Sequence, residues 1–298
     1  MINYKFKTQP YKHQLDALKD SWDKENFAYF MEMGTGKSKV LLDNAAMLYD
    51  KGKINGLLII APKGVYKNWY DSEIPTHLPD HIFKKIVLWK TSDKSAKQKN
   101  LLNTLFKTGT EFHILIMNVE AFSSSDGPSF AHKFLSAHNA MIAIDESTTI
   151  KTPTTKRTKS IIALRELAKY RRILTGSPVT KSPLDLFSQC EFLDPWLLGH
   201  SSYWTFKARY AVTRKIQVSG RQVEIVVGYR NLGELSDKIK PFSKRVLKDD
   251  CLDLPEKTWM KHTVELTKEQ KKVYAQMKQE AIAFLDGKMQ SSATVMTQ

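Results

Sequence analysis

Five short, mainly apolar runs punctuate the chain, at residues 27–31, 57–61, 113–118, 141–144 and 173–175. Each is bounded by a turn or a polar loop and reads as a buried strand, because a strand covered on both faces loses polar–apolar alternation. Amphipathic stretches such as 40–49 and 160–170 lie between them, with apolar positions at helical spacing. Strands alternating with helices predict an α/β fold with a mainly parallel central sheet flanked by helices. From 214 to 229 the pattern changes to a strand pair turning at Ser219-Gly220, a β-hairpin. Near the end, Thr267 and Gln270 stand at capping-box spacing. Val273, Met277, Ala281 and Phe284 then line one helical face, and Gly287 closes it. There are no internal repeats, and the Ser-containing tail after Gln290 carries no structural signature.

Composition narrows the class. The chain has 298 residues, 42% hydrophobic and 26% charged, enough apolar material to bury a core and to exclude wholesale disorder. No apolar run approaches the roughly 20 residues that a membrane span needs, and the first residues lack an apolar signal core. Cys190 and Cys251 are isolated, so neither a disulfide framework nor a zinc knuckle is expected. A soluble intracellular protein is expected, cytoplasmic in a microbial or viral setting and nuclear in a eukaryotic one.

Charge is unevenly spread. Residues 1–150 hold 19 basic and 16 acidic residues; residues 151–298 hold 27 and 15. The segments 151–172 (eight bases, one acid) and 207–248 (eleven bases, three acids) carry most of the excess. Such asymmetry points to a polyanion partner, because Lys and Arg that neutralise phosphates release counterions. A solvated surface face is the competing explanation, and charge alone does not separate the two.

Chemistry enters with Gly34-Thr35-Gly36-Lys37-Ser38, which follows the 27–31 run and precedes a helix. Glycines let successive N–H groups curl around phosphate oxygens, and the helix start adds a favourable field. Lys37 is then placed to neutralise the β- and γ-phosphates, with Ser38 holding Mg²⁺ through its hydroxyl. Met31 stands where the general pattern has its first glycine. Asp145-Glu146 ends the 141–144 run, so both carboxylates emerge at a strand's C-terminal edge, where open α/β sheets bind ligands. There Asp145 suits the Mg²⁺ shell, and Glu146 suits orienting or deprotonating a water. Thr175-Gly176-Ser177 again follows a strand, which allows its hydroxyls to sense the γ-phosphate.

Together these residues resemble the Swi/Snf-related DNA translocases of helicase superfamily two. Pro10-Tyr11-Lys12-His13-Gln14 is similar to the upstream glutamine motif that contacts adenine in the family, which implies adenine contacts for Tyr11 and Gln14. Residues 33–38 match motif I, and Ala61-Pro62 with Asn68-Trp69 and Glu73 resembles motif Ia. Asp145-Glu146 followed by Lys151 resembles motif II, and Leu174-Thr175-Gly176-Ser177-Pro178 motif III. Asp185-Leu186, Phe192-Leu193, Pro195, Arg245, Lys248, Leu254-Pro255, Gln270 and Tyr274 continue the pattern. The resemblance implies a RecA-like lobe, ATP and Mg²⁺ as cofactors, and DNA as partner, duplex ahead of single strands. It further implies coupling of hydrolysis to DNA grip through Thr175, Gly176 and Ser177.

The resemblance places Lys63, Asn68, Lys151, Lys156, Arg157 and Lys159 in or beside motifs that face nucleic acid. For any single lysine a solvated surface role competes. Trp69, beside Tyr66 and Tyr70, reads as core packing, with base stacking the alternative. Motif II departs from the family pattern, with Ser147 and Thr148 where Ala and His are usual. This touches the link to a second motor lobe more than Mg²⁺ binding. The expected organisation is an ATP-binding lobe at 1–198, a basic family-specific insertion at 199–248, and at 249–298 a return to the lobe and a helix leading to a second motor lobe missing from this chain.

An arginine from that second lobe contacts the γ-phosphate in the family, and such a finger is worth about 10³–10⁵ in turnover. The chain alone is therefore expected to bind nucleotide weakly and hydrolyse it very slowly. The rival to a translocase ATPase is a non-catalytic nucleic-acid clamp with a degenerate nucleotide site. A P-loop phosphotransferase fits poorly, because it leaves the motif Ia and III matches and the basic second half without a reason.

Overall fold

The computed structural model describes residues 4–90, 95–107, 109–218, 221–251, 259–272 and 274–275. The chain divides into two compact units, Met1–Asp253 and Leu254–Gln298.

The first unit is built on strands β1 (Asn26–Met31), β2 (Gly56–Ala61), β3 (Lys84–Leu88), β4 (Phe112–Asn118), β5 (Ala140–Asp145), β6 (Tyr170–Leu174) and β9 (Ser243–Val246), in the order β3-β4-β2-β5-β6-β1-β9. Every pairing in this sheet is parallel. Successive side chains leave opposite faces, so each apolar run feeds two cores. Ala28, Phe30, Leu58, Ile60, Ile142 and Ile144 pack on one side. Phe27, Tyr29, Met31, Leu57, Ile59 and Ala143 pack on the other. The predicted α/β sheet is therefore observed.

β3 and β9 were hidden in the sequence. They are the two edges of the sheet, half covered, and they carry Lys84-Lys85 and Ser243-Lys244-Arg245 in place of an apolar run. The expected insertion at 199–248 consequently contains a strand of the central sheet. The 160–170 stretch also differs: the helix is Lys156–Ile162, Arg165–Leu167 is a single 3₁₀ turn, and β6 begins at Tyr170.

Tertiary contacts decide that last boundary. Arg171 N–H donates to Glu25 O at 2.7 Å. The Arg172 guanidinium, fully buried, donates to the carbonyls of Ser21, Lys24, Glu25 and Arg171 and to Asn44 Oδ1. It thereby ties helix α1 (Lys12–Ser21) and the turn after it to the sheet.

β7 (Ala211–Val218) and β8 (Arg221–Tyr229) form the expected antiparallel hairpin, with a register irregularity between Val212 and Thr213. Its base is anchored by the Arg209–Glu234 ion pair and by Tyr210 Oη–H donating to Glu234 at 2.9 Å. The Ser219-Gly220 turn lies outside the described residues.

In the second unit the predicted capping box is present. Thr267 N–H donates to Gln270 Oε1 at 3.0 Å, and Gln270 N–H to Thr267 Oγ1 at 3.2 Å. Leu254-Pro255, the face formed by Val273, Met277, Ala281 and Phe284, the Gly287 cap and the tail after Gln290 lie outside the described residues. No helix among the described residues is long and apolar enough to cross a membrane.

Candidate active site

Three loops meet at the C-terminal ends of β1, β6 and β5, which lie side by side in the sheet. The loop after β1 turns through Gly34 and Gly36, both left-handed (φ +85° and +86°), before helix α2 (Lys37–Asp50) begins. The Glu32 carbonyl organises this loop. It accepts from Thr35 N–H at 3.2 Å and from Thr35 Oγ1–H at 2.7 Å, with Lys37 Nζ at 3.5 Å.

From outside, α1 buttresses the same loop. Gln14 Nε2–H and His13 Nε2–H donate to Thr35 O at 3.1 and 2.8 Å, while Gln14 Oε1 accepts from Tyr11 N–H at 3.0 Å. The left-handed φ of +86° favours glycine at position 36, and a Cβ there would also displace the Gln14 amide, whose Nε2 would stand 2.2 Å away. The resemblance implies that Gln14 contacts adenine; in this structure its amide also supports the glycine loop. Tyr11 is exposed, its ring stacked on His13 at 5.8 Å, and both line a separate cleft of about 460 Å³.

Across from Lys37 stand the carboxylates. Asp145 Oδ2 accepts from Trp69 Nε1–H at 2.9 Å, and its Oδ1 accepts from Glu146 N–H at 3.0 Å. Burial pushes the Asp145 carboxyl up to about 6. The Trp69 hydrogen bond and the Lys37 charge oppose the rise, and the Glu146 charge adds to it. Glu146 is left-handed (φ +49°), a conformation that non-glycine residues adopt rarely and mostly at functional turns. Its carboxylate accepts from Thr175 Oγ1–H at 3.2 Å, and the same hydroxyl oxygen accepts from Ser177 N–H at 3.2 Å.

Gly176 lets the third loop close on the first, because a Cβ there would meet Met33 N at 3.3 Å and Glu32 Cα at 3.4 Å. Lys37, Glu146, Thr148, Thr175, Gly176, Ser177 and Lys248 thus face one cleft of about 200 Å³. Ser38 sits beside Lys37 in the first turn of α2. The two departures in motif II have defined places. Ser147 is buried and donates to Gln189 Oε1 at 2.6 Å, whereas Thr148 faces the cleft.

No group of three or more His, Cys, Asp or Glu among the described residues forms a metal cage. One carboxylate and one hydroxyl suit Mg²⁺, which keeps several waters and takes phosphate oxygens from its substrate.

The other half of the same sheet edge is basic. Lys63 and Asn68 follow β2 and are exposed, and Asn68 Nδ2–H donates to Glu73 at 3.0 Å. Lys156 and Lys159 are exposed on the helix that packs against the turn after β4, while Arg157 is half-buried. Lys151 is not free: its ammonium reaches Thr180 Oγ1 at 2.5 Å and Asp185 at 3.8 Å, joining the loops after β5 and β6. Trp69 is buried, 2% exposed, so its core-packing reading holds and base stacking does not. Sequence reasoning gave no role to Glu32, to the Trp69–Asp145 bond or to Lys248 in the cleft. Trp69 and Lys248 entered only through the family resemblance, and Glu32 only as a neighbour of the glycine loop.

The profile of the SNF2-related domain matches residues 20–298. The chain belongs to the SNF2-related family. The zebrafish (Danio rerio) DNA excision repair protein ERCC-6-like is 30% identical over 225 residues, 74% of this chain and 14% of that protein. The Arabidopsis thaliana chromatin-remodeling ATPase INO80 is 25% identical over 251 residues, 83% of this chain and 16% of that protein. This SNF2-related chain therefore spans a small part of the curated relatives it matches. Its fold is that of the Sulfolobus solfataricus SWI2/SNF2 ATPase core solved in complex with dsDNA. That likeness has a TM-score of 0.63 at 24% identity and covers 98% of this chain and 56% of that one. The Sulfolobus solfataricus SWI2/SNF2 ATPase core domain gives a TM-score of 0.60 at 24% identity, over 97% of this chain and 54% of that one.

Proposed function

We propose that this SNF2-related chain is the ATP-binding lobe of a DNA translocase, coupling ATP hydrolysis to movement along duplex DNA. The observation that carries this reading is the single cleft shared by Lys37 and Glu146, with Thr175 bound to Glu146 at 3.2 Å. Lys37 neutralises the β- and γ-phosphates, and the glycine loop supplies N–H donors. Ser38 and Asp145 would hold Mg²⁺, which when bound offsets phosphate charge and fixes the phosphate oxygens. Glu146 orients the attacking water and accepts its proton, with Thr175 holding the carboxylate in place. Tyr11 and its cleft receive the base. Lys63, Asn68, Lys156 and Arg157 grip phosphates without reading bases, as a translocating motor requires. Lys151 acts from within, tying the motif II loop to the motif III loop. An arginine from a second lobe completes the site, so the chain alone turns over very slowly.

The duplex track is supported by the dsDNA complex of the Sulfolobus core and by the basic half-edge beside the nucleotide cleft. The test is ATP turnover and strand-displacement of a triplex by the protein that carries this chain, with duplex DNA, single-stranded DNA and RNA compared. Duplex stimulation abolished by Lys37→Ala and Glu146→Gln is expected. Tight, salt-sensitive DNA binding that survives both substitutions, with no turnover on any nucleic acid, would instead leave the non-catalytic clamp.

A further inference from the structure

We propose that Lys248 is a second cation of the phosphate site, binding the polyphosphate of a nucleoside triphosphate jointly with Lys37. The proposal rests on the nucleotide reading of the cleft and adds to it a residue from the far end of the lobe.

Three observations carry it. First, Lys248 faces the same cleft as Lys37, Glu146 and Thr175. Its side chain lies over the glycine loop, since a Cβ on Gly34 would come 3.5 Å from Lys248 Cε and 3.9 Å from its Nζ. Those distances are ordinary van der Waals contact, so the ammonium already lies against the left-handed loop whose N–H groups would face phosphate.

Second, the backbone that presents Lys248 is tethered. β9 runs parallel to β1 with Val246 opposite Met31, Glu32 N–H donates to Val246 O at 3.0 Å, and Lys248 N–H donates to Glu32 Oε2 at 2.6 Å. Glu32 also offers the carbonyl that closes the glycine loop on Thr35, so one residue joins the loop to the Lys248 segment.

Third, the charge is uncompensated. Lys248 is half-buried, yet among the described residues its ammonium makes no hydrogen bond and no ion pair. Lys37 has only the Glu32 carbonyl at 3.5 Å. On β9, just before Lys248, the neighbouring cations are engaged: Lys244 with Asp20 at 2.7 Å, and Arg245 with Gly176 O at 2.8 Å. The cleft also holds the carboxylates of Glu32 and Glu146, but among the described residues neither forms an ion pair with Lys37 or Lys248, so both ammonium groups are available to the oxygens of a polyphosphate. Placing cations there beforehand lowers the reorganisation needed on binding.

The experiment titrates fluorescent ATP, ADP and adenosine, with Mg²⁺, against the full chain and its Lys37→Ala, Lys248→Gln and Lys248→Arg variants. Lys248→Gln is expected to weaken ATP binding by about tenfold or more, the size of one charge-assisted contact, while adenosine binding stays unchanged. Lys248→Arg should restore most of the loss. Lysine acetylation of the unsubstituted chain, read by mass spectrometry, gives a measure that needs no variant: ATP should protect Lys248, and adenosine should not.

If Lys37→Ala binds ATP as tightly as the parent, the nucleotide reading of the cleft fails and the proposal goes with it. If Lys37→Ala loses binding while Lys248→Gln does not, or if Lys248 is acetylated equally with and without ATP, the proposal alone is overturned.

Discussion

The indole N–H of Trp69 donates to Asp145 Oδ2 at 2.9 Å, across the boundary between the basic half of the sheet edge and the nucleotide cleft. Trp69 begins a short π-helical turn, Trp69–Glu73, immediately after exposed Asn68. Such turns recur at functional sites because they re-aim one side chain within a helix. A shift of this segment on nucleic acid would therefore reach the carboxylate proposed to hold Mg²⁺ directly.

Trp69→Phe keeps a ring in the core and removes the donor. It should lower nucleic-acid-stimulated ATP turnover several-fold and raise the Mg²⁺ concentration needed, with basal nucleotide binding little changed. Turnover measured against Mg²⁺ with and without duplex DNA checks this; equal loss in both arms would mean that Trp69 only packs.

The Asp145 carboxyl, raised to about 6 by burial, sets a pH dependence. Its proton is held more tightly in the fold than in the unfolded chain. That contribution to stability is full below about pH 4 and is lost as pH rises through about 6. Metal affinity runs the other way, because only the ionised carboxylate binds a cation. Mg²⁺-dependent nucleotide binding should therefore rise with pH through about 6, and the midpoint should move up in Trp69→Phe. Asp43, also raised to about 6 by burial and opposed by its Lys39 partner, titrates in the same window. Repeating the stability profile in Asp43→Asn separates the two.

Gly36→Ala meets two penalties at once, a left-handed backbone and a Cβ 2.2 Å from Gln14 Nε2. Gln14 must leave Thr35 or the loop must open. ATP affinity should fall by more than tenfold, with a lower melting temperature. Gln14→Ala in the same background removes the clash but not the backbone cost, so it should recover only part of the melting temperature.

Arg172 is a structural lock. Replacing it with Met leaves the Lys24 carbonyl without its donor and takes one of two donors from the Ser21 and Glu25 carbonyls, which keep Lys24 N–H and Arg171 N–H, at a cost of roughly 1–3 kcal/mol. Arg172→Lys should not rescue, because one ammonium cannot reproduce a planar fork of donors. Urea unfolding of the three chains gives the comparison. A loss below about 1 kcal/mol would show that water replaces the guanidinium without difficulty.

Much of this could be read before folding. The central strands β1, β2, β4 and β5 are continuous apolar runs because both faces of a parallel sheet are covered. Gly34-Thr35-Gly36-Lys37-Ser38, Asp145-Glu146 and Thr175-Gly176-Ser177 carry their chemistry in neighbouring residues. The edge strands could not be read, since Lys84-Lys85 and Ser243-Lys244-Arg245 look like loops until one side is left to solvent. Nor could the start of β6, where Arg171 and Arg172 look like surface residues and are held by carbonyls distant in sequence.

Covalent neighbours alone fix loop conformation, strand burial, and which chemical groups end each strand. Strand order was left to the tertiary structure, and strand order decides which ends meet. Only with β2 beside β5 does Trp69 reach Asp145, and only with β6 between β5 and β1, and β9 beyond β1, do Glu146 and Thr175 bond and Lys248 come over Gly34 with its amide on Glu32, 216 residues away. Contacts at such separations leave no local pattern, because they are made by packing of the whole sheet and not by the preferences of either segment.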